Sequence, residues 1–165
     1  MEQFQDYEDL GTPKSDKYHE SFAKFEAAGS DEKVATAVTT ILDKHARENF
    51  TPEVLKKIHG CIDLTTLTSI DTKESVWKMV ESVNDYEGTR PDVPNVAAIC
   101  VYPIFVETVK QALRADKVHI ASVCGGFPAS QTFTEIKVAE TAMAVMEGAD
   151  EIDTVINIGY FLEEN

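Results

Sequence analysis

The sequence predicts an α/β chain: parallel strands and crossover helices curled as part of a (β/α)8 barrel, behind a helical N-terminal extension. Three observations predict it. Short apolar runs at 61–64, 96–102, 119–124 and 149–158 alternate with helix-patterned segments, which is how parallel βαβ units read. Each run carries polar or small residues on one alternate face, whereas strands of an open doubly wound sheet, covered on both sides, read as continuously hydrophobic. No G-x-G-x-x-G follows any of them, so the dinucleotide fingerprint is missing. A barrel interior with its site at the C-terminal mouth accommodates such a lining, and a closed barrel takes eight units in about 250 residues. The 165 residues here hold about four units, so an incomplete barrel ending just past its fourth strand is expected.

The elements follow in order. Residues 1–29 are polar with scattered aromatics and read as an irregular arm, with a helical stretch at Ser21–Ala28. Gly29-Ser30-Asp31 is a helix start, and Val34, Val38, Ile41, Leu42 and His45 follow at helical spacing. Thr51-Pro52 opens a second helix as cap and first helical residue, to end near Gly60. Residues 1–60 form the acidic helical extension and 61–165 the half-barrel.

Cys61–Leu64 is the first strand candidate. Asp71-Thr72-Lys73-Glu74 caps a helix bearing Val76, Met79, Val80 and Val83. Val96–Tyr102 is a buried strand stopped by Pro103, and Phe105, Val109, Ala112 and Leu113 mark a short helix. His119–Cys124 is the third strand, Gly125-Gly126-Phe127-Pro128 a loop, and 131–147 a helix ended by Gly148.

The last strand is the most informative. Alternation puts Glu151, Asp153, Val155 and Asn157 on one face and Ile152, Thr154, Ile156 and Ile158 on the other. Burying a charge without partners is costly, so the acidic face should look into a site. The same alternation gives Cys61, Asp63 and Thr65 from the first strand and Ala98, Cys100 and Tyr102 from the second. From the third it selects Ile120, Ser122 and Cys124.

Composition bounds the function. The formal net charge of −14 argues against a nucleic-acid groove or an anionic membrane surface. No apolar run approaches a membrane span, and the N-terminus lacks a signal-peptide pattern, so a cytoplasmic protein is expected. Three widely spaced cysteines without C-x-x-C suit neither a disulfide scaffold nor a zinc site and fit a reducing compartment. Asp63 can also be read as binding backbone amides in the turn after its strand, and Cys100, Cys61 and Cys124 as small core residues. Histidines 45, 59 and 119 read as structural or solvated.

Four stretches together, Ile62-Asp63-Leu64-Thr65-Thr66-Leu67, Ala97–Pro103, Ala121-Ser122-Val123 with Gly126-Phe127-Pro128 and Gln131-Thr132, and Gly148–Asp153 through Asn157, resemble the deoxyribose-phosphate aldolases. The resemblance implies a class I aldolase on a TIM barrel. Such an enzyme cleaves 2-deoxy-D-ribose 5-phosphate to D-glyceraldehyde 3-phosphate and acetaldehyde through a lysine Schiff base, without metal or other cofactor.

The resemblance makes Asp153 the proton donor and acceptor, and puts Asp63, Thr65, Cys100 and Tyr102 around the sugar. It also implies that the imine lysine and its tuning partner come from later strands. Lys73, Lys78, Lys110 and Lys137 are expected on solvated helix faces, and Lys117 at the wrong end of the barrel, so this chain by itself is expected to be inactive. The expected partner is a small sugar phosphate, and a homo-oligomer is compatible. Two other readings stay open: another sugar-phosphate lyase or isomerase barrel, and a non-catalytic half-barrel that pairs with another copy.

Overall fold

Four short parallel strands, β1 (Asp63–Thr65), β2 (Ala98–Val101), β3 (His119–Cys124) and β4 (Glu151–Thr154), form one sheet in sequence order. This computed structural model describes residues 30–163; the arm at 1–29 and its helix at Ser21–Ala28 lie outside the described residues. Among the described residues β1 and β4 are the edges, so the sheet is an unclosed part of an α/β barrel.

The local signals act as their chemistry dictates. Ser30 caps α1 (Asp31–Asn49), and Thr51 caps α2 (Pro52–His59) by accepting from Val54 N at 3.3 Å, with Pro52 in the first turn. The apolar stripe of α1 (Val34, Val38, Ile41, Leu42) is solvent-exposed, and no residue of that helix is buried. For α3 (Lys73–Tyr86) the cap is Thr72, in a reciprocal box with Ser75. A 3-10 turn at Pro103–Phe105 leads into α4 (Val106–Ala112). Helix α5 (Thr134–Glu147) stops at Gly148, whose φ of +110° is a left-handed cap, and α6 (Ile158–Leu162) follows β4.

The sheet has two unlike faces. On the outer one, Ile99, Val101 and Ile120 pack against Val76, Val80 and Val83 of α3 and Val106, Val109 and Ala112 of α4. Valines at i, i+4 and i+7 form one helical stripe, which is why α3 buries them together. The inner face carries a smaller cluster of Ala98, Cys100, Ala121 and Val123, joined by Leu67, Tyr102 and Phe127.

Several expectations need correction. The third strand is phased the other way: Ala121 and Val123 face inward, while Ile120 packs in the helix-covered outer core. Ser122 and Cys124, of the same parity, go outward with it. Bulky Ile120 decides the phase because it fills the space under the helices, and Ser122 is satisfied there, its hydroxyl donating to Val123 O at 3.3 Å. The first strand begins at Asp63, leaving Cys61 exposed in the turn after α2 rather than in the core. The last strand ends at Thr154, and Asn157 caps α6 by accepting from Tyr160 N at 3.0 Å instead of lining the inner face. Helix α5 starts at Thr134, three residues later than its pattern suggests.

Candidate active site

The register stacks inner-face residues in rows. Thr65 aligns with Cys100, Cys100 with Ala121 and Ala121 with Glu151, while Val123 aligns with Asp153. Across these rows Cys100 Sγ lies 3.8 Å from Asp153 Oδ2, although β3 runs between their strands. Neighbouring strands are about 4.8 Å apart, so a flat sheet would hold β2 and β4 about 10 Å from each other. The two side chains meet because the inner face is concave and Ala121, between them, has only a methyl group. Side chains from alternate strands sharing a layer are the packing of a barrel interior.

The electrostatics follow from that geometry. Cys100 is 3% exposed. Burial pushes its thiol up to about 11, the Asp153 carboxylate adds to the rise, a hydrogen bond with Thr65 opposes it, and Asp63 raises it further. The thiol therefore stays protonated at neutral pH. It is an S–H donor towards Asp153 and a poor nucleophile. Asp153, Asp63 and Thr65 are exposed on the same face.

Among the described residues no backbone amide donates to the Asp63 carboxylate, and its backbone oxygen accepts from Thr65 Oγ1 at 2.9 Å. The turn is built by Asp71 instead. Its carboxylate accepts from Thr68 Oγ1 (2.7 Å), Thr68 N (2.9 Å) and Thr66 Oγ1 (2.9 Å), and the Thr68 hydroxyl leads in holding it below the usual carboxylate range. Tyr102, just past β2, donates to Leu67 O at 3.3 Å and meets Phe127 edge-on at 6.1 Å. The expected site residues Asp63, Thr65, Cys100, Tyr102 and Asp153 thus gather on the inner face and at the strands' C-terminal ends.

The acids at the start of β4 are structural. Asp150 accepts from Ile120 N at 2.9 Å, and Glu151 pairs with His119 at 2.8 Å near the other end of the strands. Lys137 departs from expectation. It is half-buried on α5 and donates to Ser130 Oγ and to Val155 O (3.3 Å), so it serves the loops beside β4 rather than solvent. None of the four strands carries a lysine. Among the described residues no cluster of three or more His, Cys, Asp and Glu could hold a metal ion, and no helix is long and apolar enough to cross a membrane.

Ala121, Val123, Phe127 and Lys137 are the residues that sequence reasoning missed. Ile120 was the available signal for the first two, since a β-branched bulk on a strand flanked by helices belongs beneath them. Nothing local in the sequence marks Lys137, whose partners are seven and eighteen residues away.

No family model matches the chain. Curated relatives do. The deoxyribose-phosphate aldolase of Aciduliprofundum boonei is 42% identical over 98 residues, covering 59% of this chain and 40% of that protein. The Bos taurus deoxyribose-phosphate aldolase is 37% identical over 113 residues, covering 62% and 36%. Among solved structures, the aldolase QR15 matches with a TM-score of 0.55 at 28% identity, covering 65% of this chain and 43% of that one. The tetrameric deoxyribose phosphate aldolase of Aeropyrum pernix matches with a TM-score of 0.52 at 26% identity, covering 63% and 41%. The chain spans less than half the length of these relatives.

Proposed function

The chain belongs with the deoxyribose-phosphate aldolases in sequence and fold, and from that premise we propose that its inner face is one half of a class I aldolase site. The substrate is 2-deoxy-D-ribose 5-phosphate. The observation that carries the reading is Asp153 meeting Cys100 over β3 on the concave face.

The chemistry needs an amine, which forms an imine with the substrate's aldehyde carbon and draws in the electrons of the breaking carbon–carbon bond. It also needs a group that removes the proton from the hydroxyl on the carbon becoming the new aldehyde, and later returns one to the enamine carbon. Asp153 is that group. Asp63, Thr65 and Tyr102 contact the sugar hydroxyls, and Cys100 supports Asp153 with its thiol proton. The amine is not on these four strands. The same reading carries a cytoplasmic setting and a homo-oligomeric assembly.

The test is reductive trapping. The chain is incubated with 2-deoxy-D-ribose 5-phosphate and borohydride, and adducts are mapped by mass spectrometry, while backbone amide shifts are followed with the sugar phosphate alone. The expected result is shifts at Thr65, Cys100, Tyr102 and Asp153 with no reduced adduct on residues 30–163. An adduct on a lysine of this stretch, or shifts confined to the outer face, overturns the proposal.

A further inference from the structure

We propose that Lys137 and Glu140, one turn apart on α5, clamp the loop after β3 so that Phe127 stands as a wall of the concave inner face beside Cys100. Lys137 is then a positioning residue, and the inference rests on the inner face being the site.

Both ends of the loop are tied. At its start, Glu140 Oε2 accepts from Gly126 N at 2.9 Å. The neighbouring Gly125 lies so close to β4 that a Cβ would sit 2.7 Å from Thr154 Oγ1 and 2.9 Å from Val155 O. At its end, Ser130 is fully buried with φ +58°, and its backbone N donates to Gly126 O at 2.8 Å.

Ser130 Oγ donates to Val155 O at 2.8 Å and accepts from Lys137 Nζ, which also reaches Val155 O. An ammonium group has donors only, and Ser130 and Val155 supply the matching acceptors. Between the two ties sits Phe127, against the Ala98, Cys100, Ala121 and Val123 cluster and Tyr102. The same ammonium holds the carbonyl two residues beyond Asp153. One side chain therefore fixes both the wall and the exit of the strand that carries the acid. Without it, the buried Ser130 hydroxyl and the half-buried Val155 carbonyl lose a charged partner, and the end of the loop is held less tightly against the exit of β4.

The test uses the whole chain and its own thiols. Cys100 alkylation by iodoacetamide is measured under native conditions, resolved by peptide, relative to Cys124, which is buried on the other face. Lys137→Met should raise the Cys100 rate several-fold over that of Cys124 and shift the onset of alkylation to lower pH. Lys137→Arg should restore most of the protection, and Ser130→Ala should act as Lys137→Met does, more weakly. An unchanged Cys100-to-Cys124 ratio in Ser130→Ala and in any folded Lys137→Met protein overturns the clamp, as does equal acceleration of both thiols. The aldolase reading fails separately: absence of sugar-phosphate shifts on the inner face would leave the alkylation ratios as predicted here.

Discussion

Replacing Asp153 by Asn should lower the Cys100 thiol pKa by roughly half a unit to one unit. The thiol is displaced from 9.0 to about 11, with burial as the largest cause and the Asp153 carboxylate the second. A unit charge 3.8 Å away is worth about 1 kcal/mol under water-like screening and about 4 at an effective dielectric constant of 20. Asp153 is exposed, so the lower figure applies, and about 1.4 kcal/mol corresponds to one pKa unit. Asn keeps the shape and still accepts from the thiol, so only the charge is removed. The assay is titration of the cysteine Cβ resonances in protein labelled at that carbon. Cys124 is the internal control, since burial dominates its raised pKa and Asp153 is the smallest of its causes. A Cys100 midpoint that stays in place, or that moves only as far as that of Cys124, would refute the placement of the two groups.

Further outcomes follow from the same geometry. Gly125→Ala should cost more than about 2 kcal/mol in urea unfolding, because the left-handed φ of +79° is compounded by the approach to Thr154 and Val155. Gly88→Ala, at φ +76° with nothing within 4 Å, should cost only about 1 kcal/mol. The Cys100 contribution to stability should be fully present below pH 9 and be lost as pH rises towards 11, because the unfolded thiol ionises first. Its ceiling is about 3 kcal/mol, read as the difference between the native chain and Cys100→Ala in denaturation followed across that window.

How far the sequence could be read depended on whether a signal was local. Thr51-Pro52 and Gly148 each act within one turn of chain, and the helices begin and end where they predict. Asp153 and Cys100 are legible because alternation separates the parities of β2 and β4: bulky Ile99 and Val101 against small Ala98 and Cys100, and Ile152 against the acids Glu151 and Asp153. In β3 both parities mix apolar and polar residues, His119 with Ala121 and Val123 and Ser122 with Ile120 and Cys124, so alternation alone does not set the phase, and packing under α3 and α4 fixes Ile120. Lys137 looked like a solvated helix cation because its acceptors belong to loops brought in by the fold. Asp71 stands in a helix-start pattern, but three hydroxyl and amide donors make it the centre of the turn before that helix.

Everything proposed for the site requires the sheet to curl so that alternate strands meet on its inner face. Bridging thiols across that face measures it most directly. In a Cys61→Ser background, Asp153→Cys and Ile152→Cys are each treated with a short bifunctional thiol reagent, and the bridge to Cys100 is quantified by peptide mass. Bridging should be efficient from position 153 and almost absent from position 152, whose side chain points the other way. Equal bridging from both positions, or bridging from 152 alone, would contradict it.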